Sequence, residues 1–149
     1  MKDPCTTIRQ WLYDNLQGIT YGGAAVPVYS FPPKDAAMPY IVIGDMLSTG
    51  EESTKDCYLS AYDYTIEIWT SFTGDSATYV PADNVANQIT QKLRTGPEFV
   101  FSGSNPLPSF GEFNCVRVEV RGMMSDRFMF DNKIVIYKSL SINFLMEEL

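Results

Sequence analysis

The 149-residue chain contains no histidine. That removes the commonest general base, the commonest metal ligand, and every arrangement in which an imidazole activates a serine or cysteine. Cysteine is sparse as well. Cys5, Cys57 and Cys115 lie far apart, are odd in number and include no C-x-x-C pair. Such usage favours three reduced, mostly buried thiols in a cytosolic protein over a disulfide framework or a zinc site. Basic residues are few. Eleven Lys and Arg stand against 18 Asp and Glu, so the formal net charge is −7. An acidic chain with no run of Lys or Arg repels phosphate backbones, which disfavours a general nucleic-acid binder. No G-x-x-x-x-G-K-[ST] or G-x-G-x-x-G phosphate cradle occurs. No apolar run approaches the roughly 20 residues that cross a bilayer, and Met1–Lys2–Asp3–Pro4 opens no secretory signal. The expected location is a cytoplasm, or a particle assembled in one.

What is present is a core. Hydrophobic residues make up 45% of the chain, enough for a single domain over residues 1–149 without staples. The aromatic share of 13% is high enough for some rings to face a partner instead of the interior.

Asp3 can cap a helix that starts at Pro4, and Cys5, Ile8, Leu12, Leu16 and Ile19 follow at helical spacing. The first helix is expected over 4–17, with Gly18 as its stop and Trp11 off the apolar stripe as a second contact. Residues 20–25 read as a flexible turn around Gly22 and Gly23. A short strand runs from Val26 to Phe31, placed at an edge by Pro27. A Pro/Asp turn at 32–35 leads to a strand from Pro39 to Met46, apolar enough for burial on both faces. Residues 47–58 are polar and read as a long loop or the mobile tip of a hairpin. Tyr62 to Phe72 alternates as a half-buried strand. Pro81, Asp83 and the spacing of Val85, Ile89 and Leu93 mark a second helix over 81–94. A Gly/Pro/Ser-rich surface loop at 102–111 precedes strands from Phe113 to Arg121 and from Lys133 to Glu147. Lys138 is the one break on the apolar face of the last strand. The expected fold class is α+β: a largely antiparallel β-sheet with two helices packed on one face.

Few residues point to chemistry. Neighbours in the pairs Glu51–Glu52 and Glu147–Glu148 point opposite ways on an extended chain, so neither makes an acid/base couple. Asp45, Glu51 and Glu52 are a conceivable cation site, but no calcium-loop spacing supports it. No catalytic residue, cofactor or metal is expected. The segment 121–132 is more informative. Met123, Met124, Phe128, Met129 and Phe130 put five large apolar side chains in eight residues. One reading continues the β-structure and buries half of them in the core. The other makes them the tip of a projecting hairpin that docks on a neighbour, with Glu51 and Glu52 as a second contact.

The stretch PVYSFPPKDAAMPYIVIGD, residues 27–45, resembles the most recognisable segment of the bacteriophage tail completion, or tail terminator, family. That family shows a short N-terminal helix, a Val-Pro-Val-Tyr-like strand, a Pro/Asp turn and a Pro-Tyr-Ile-Val-Ile-Gly-like strand. Here these match residues 4–17, Val26–Tyr29, Pro32–Asp35 and Pro39–Gly44. The resemblance covers about residues 4–95 and continues loosely as two strands. The loop at 102–111 and the apolar segment at 121–132 are not features of the family pattern. The resemblance implies a virion subunit made in a host cytoplasm. It would form a homo-oligomeric ring, a hexamer or dodecamer, at the end of a tail tube or below the portal. The ring would stop tube growth and join tail to head. Its partners would be itself and adjacent neck, portal or tail-tube proteins, with DNA only as transient cargo and no membrane. The competing expectations are a stand-alone protein-binding adaptor of similar fold, and an enzyme, which the missing site constellation disfavours.

Overall fold

The computed structural model describes residues 3–54, 57–73, 77–93, 109–110 and 113–148, with the side chains of all but 49–54, 57–58, 109–110 and 116. Helix α1 spans Cys5–Leu16. The Asp3 carboxylate accepts the Cys5 N–H at 2.9 Å, satisfying one orphan donor of the first turn. The stripe Ile8, Leu12 and Leu16 is fully buried. Gly18 ends the helical run at φ +83°, a value that costs a glycine nothing. Strands β1 (Thr20–Tyr21) and β2 (Ala24–Ala25) then pair as a small hairpin across Gly22 and Gly23, where the sequence suggested only a turn.

The remaining strands are β3 (Val28–Tyr29), β4 (Tyr40–Thr54), β5 (Cys57–Thr73), β6 (Ser109–Phe110), β7 (Phe113–Phe130) and β8 (Lys133–Glu148), with helix α2 (Val80–Leu93) between β5 and β6. They form one sheet in the order β3-β4-β5-β8-β7-β6, antiparallel everywhere except β3 on β4. The expected α+β class, with both helices against one face of a largely antiparallel sheet, is what the chain adopts.

That face carries the core. Tyr62, Tyr64, Ile66 and Ile68 of β5 and Ile136, Leu140, Ile142, Phe144 and Met146 of β8 are buried, packed with Val85, Ala86, Ile89 and Leu93 of α2. Burying each large aliphatic or aromatic side chain contributes roughly 1.5–3 kcal/mol. Trp11, the residue off the stripe of α1, meets Phe144 edge-on at 5.7 Å. The Tyr64 hydroxyl donates to the Cys5 carbonyl at 3.1 Å, and burial pushes its pKa far above the ordinary value. Lys138, the break in the apolar pattern of β8, reaches Asp83 on α2 at 2.7 Å.

Two open readings are decided and one expectation is corrected. Of the two readings of 47–58, the hairpin is the one the chain adopts: β4 runs on to Thr54, paired with β5 from Cys57. Two register shifts, between Ile43 and Met46 and between Ser48 and Gly50, break the alternation that would have revealed it. Residues 121–130 continue the β-structure and lead into a hairpin turn. They are the far half of β7, in register with β8 to Phe130, and only Asp131 and Asn132 turn, at φ +51° and +60°. Of the expected 102–111 loop, residues 109 and 110 form β6 and the rest lies outside the described residues.

Candidate assembly surface

Strand β7 lies near one side of the sheet. Its inner edge pairs with β8 throughout, while its outer edge meets β6 only at Phe113 and Asn114. From Cys115 to Phe130 that outer edge has no strand partner among the described residues. Residues 121 to 130 are all exposed, although α2 reaches the neighbouring β8 at this level, where Lys138, opposite Ser125, meets Asp83. Met123 is 53% exposed, Met124 58%, Phe128 40%, Met129 68% and Phe130 68%. No part of the cluster is core, against the reading that would have buried half of it.

The five do not form one patch. Strand alternation puts Met124, Phe128 and Phe130 on the face away from the helices, and Met123 and Met129 on the helix side. Phe128 is the best held. Its ring stands edge-on to Trp69 at 6.1 Å and to Tyr137 at 6.4 Å, and those two rings stack at 5.0 Å. Across the sheet the band continues to Tyr40 and Tyr29, in edge contact at 5.8 Å. Tyr29, Tyr40, Trp69, Tyr137 and Phe128 thus run as a diagonal band across a sheet face that carries no described helix. Only the register shows that they belong to one band.

The same face turns polar toward the other end. Asn143, fully buried, donates to Asp63 at 2.7 Å and accepts from Arg117 at 3.3 Å. Glu119 joins Arg117 and Arg121 in an exposed ion-pair cluster. Exposed pairs of this kind contribute about 0–1 kcal/mol each and serve more to orient than to stabilise.

Glu51 and Glu52 sit elsewhere. They pair with Ser60 and Leu59, at the level of Cys115 and Asn114 on β7. The Met/Phe cluster begins several residues further along, roughly 20 Å away at the rise of a strand. The structure therefore does not bring the two predicted contact groups together. Their side chains, and Glu51 and Glu52 as cation ligands with Asp45, lie outside what is described. Among the described residues no three His, Cys, Asp or Glu side chains converge as a metal site.

The second free edge belongs to β4. Strand β3 covers it only at Ile41 and Val42. Arg9 of α1 then occupies the carbonyls of Ile43 and Gly44, each at 3.1 Å. Beyond that point, from Asp45 to Thr54, β4 has no outer strand among the described residues. Beside it, Arg9, Ser30, Phe31, Ile43, Gly44 and Asp45 line an open depression of about 240 Å³, with Phe31 92% exposed.

The chain shares its fold with one chain of a virion. The solved structure is described as the "Virion of native gene transfer agent (GTA) particle". The match has a TM-score of 0.58 at 18% identity and covers 80% of this chain and 78% of that one. No protein-family model matches the chain, and no curated protein sequence does. At this identity the likeness is one of fold. It spans most of both chains.

Proposed function

We propose that this chain is a non-enzymatic structural subunit of a phage-like virion. Its specific role is to build a ring at the tail end or neck that terminates the tail and joins it to the head. The carrying observation is the fold held in common, over most of both chains, with a chain of the gene transfer agent virion. The free apolar half of β7 supports it, since a stand-alone domain gains nothing by leaving five large apolar side chains in water. A negative charge of −7 suits a channel that DNA traverses without sticking. In this reading the partners are further copies of the chain and the adjoining neck, portal or tube proteins, the place is the virion, and no cofactor takes part. Native mass spectrometry beside negative-stain electron microscopy of the purified chain tests it. Closed rings of six or twelve copies are expected. A chain that remains monomeric at every concentration, alone and with its particle's other proteins, refutes it.

A further inference from the structure

We propose that successive copies join edge to edge, the outer side of β7 in one copy pairing with the outer side of β4 in the next, so that the sheet continues from subunit to subunit. This rests on the ring reading and adds to it which surfaces meet. Three observations carry it.

The first is the split of the apolar cluster. Met124, Phe128 and Phe130 lie on one face of β7, and Met123 and Met129 on the other. A partner docking on either face would leave the opposite group in water. What the five share is the edge, and a strand added there covers both groups at once.

The second is strand direction. β4, β5, β8 and β7 are each antiparallel to the next. β4 and β7 therefore run in opposite senses, and β7 beside the β4 of a like-oriented copy makes another antiparallel ladder. Among the described residues β4 has no outer strand over Asp45 to Thr54 and β7 none from Cys115 to Phe130; with the copies offset along the strands, residues 45–54 of one lie beside 121–130 of the next, clear of β3 and of β6. Two different edges meeting head to tail is the heterologous contact that closes a ring, whereas β7 on β7 would stop at a dimer.

The third is charge. β4 carries Asp45, Glu51 and Glu52 with no Lys or Arg, while β7 carries Arg117, Arg121 and Arg127 against Glu119 and Asp126. The acidic edge of one copy thus meets an edge that carries Arg121 and Arg127 against Asp126 in the next. β7 on β7 would offer no such complement.

The test uses two variants at exposed positions. One carries Met123→Lys and Met124→Lys on β7; the other carries Asp45→Lys and Leu47→Lys on β4. Each alone should run as a monomer on native mass spectrometry, and an equimolar mixture should stop at a one-to-one pair, because each variant retains the edge the other lacks. Dimers of the β4 variant alone would show β7 pairing with itself, and wild-type-like rings from either variant would remove the contact while leaving the ring reading intact. A wild-type chain that never oligomerises removes both. Should a variant misfold, hydrogen exchange on the wild type still decides. Amides of 45–54 and 121–130 should slow together, at least tenfold, when rings form, and protection of only one of the two strands overturns the pairing.

Discussion

Replacing Met124 and Phe130 by serine changes only the face of β7 away from the helices; replacing Met123 and Met129 changes only the helix side. In the lone chain the first pair is 58% and 68% exposed and the second 53% and 68%. Each pair thus hides about three-quarters of one full side chain, worth roughly 1–2 kcal/mol. Against a typical domain stability of about 5–15 kcal/mol, both variants stay folded. The exposed remainder exceeds one full side chain per pair. Covering it in a seam is worth roughly 2–3 kcal/mol per contact, about 30- to 150-fold in affinity, and ring closure repeats the contact. Phe128 is left alone, because its ring packs on Trp69 and Tyr137 and its loss would confuse folding with assembly. Urea unfolding followed by circular dichroism gives stability, and native mass spectrometry at fixed concentration gives assembly. Edge pairing predicts that both serine pairs weaken assembly with little loss of stability. If only one pair does so, the chain docks by a face and the edge argument is wrong. If neither does, the cluster is no interface at all.

Other outcomes follow from the core. Ile89→Asp places an unpaired charge where the side chain is fully buried, costing several kcal/mol, and should unfold the chain at room temperature; an unchanged urea midpoint would mean α2 does not pack on the sheet. Burial holds the Cys115 thiol up at about 12 against an ordinary 9.0 and raises the Tyr64 phenol above its ordinary 10.0. Both are neutral when buried. The unfolded chain releases these protons first as pH rises, so their stabilisation is whole below about pH 9 and drains away above it. The urea midpoint should fall steadily from about pH 9 to 11, and a level midpoint there contradicts the burial of both groups. Elemental analysis should find no stoichiometric transition metal, since histidine is absent and the thiols are scattered; one tightly held zinc per chain would overturn this.

The helices and β5 were legible because each has one wet side and one dry side. Ile8, Leu12 and Leu16, or Tyr62 through Ile68, then repeat with the period of their own backbone. The far half of β7 has two wet sides. No selection for a dry face acts on residues 121–130, so Met and Phe fall in either phase and the alternation fades although the strand does not. Register shifts near Val116 and Arg121 shift the phase again. The far half of β4 was hidden by the same device, with shifts beside Gly44 and Ser48 in a polar stretch. A signal for the β7–β8 turn was present in Asp131–Asn132, residue types that tolerate left-handed backbone better than most, set between two apolar runs. The aromatic band had no signal in the sequence. Its members come from five strands, and only the pairing register brings them into one band.

The order of the strands has a consequence for how the chain is made. β8 lies between β5 and β7 and pairs with both along their length, yet it is the last of the three to leave the ribosome. Until residues 133–148 emerge, β5 and β7 cannot join into one sheet, and α2 has no β8 surface to pack on. Both outer edges are then present in a chain that cannot hold them in place. The sheet, and with it any surface built on both outer edges, is therefore complete only once β8 is in place. A nascent chain stalled after Asn132 should be protease-sensitive throughout β7, and one stalled after release of residue 148 should be resistant. Equal resistance of the two would show that the sheet closes without its central strand.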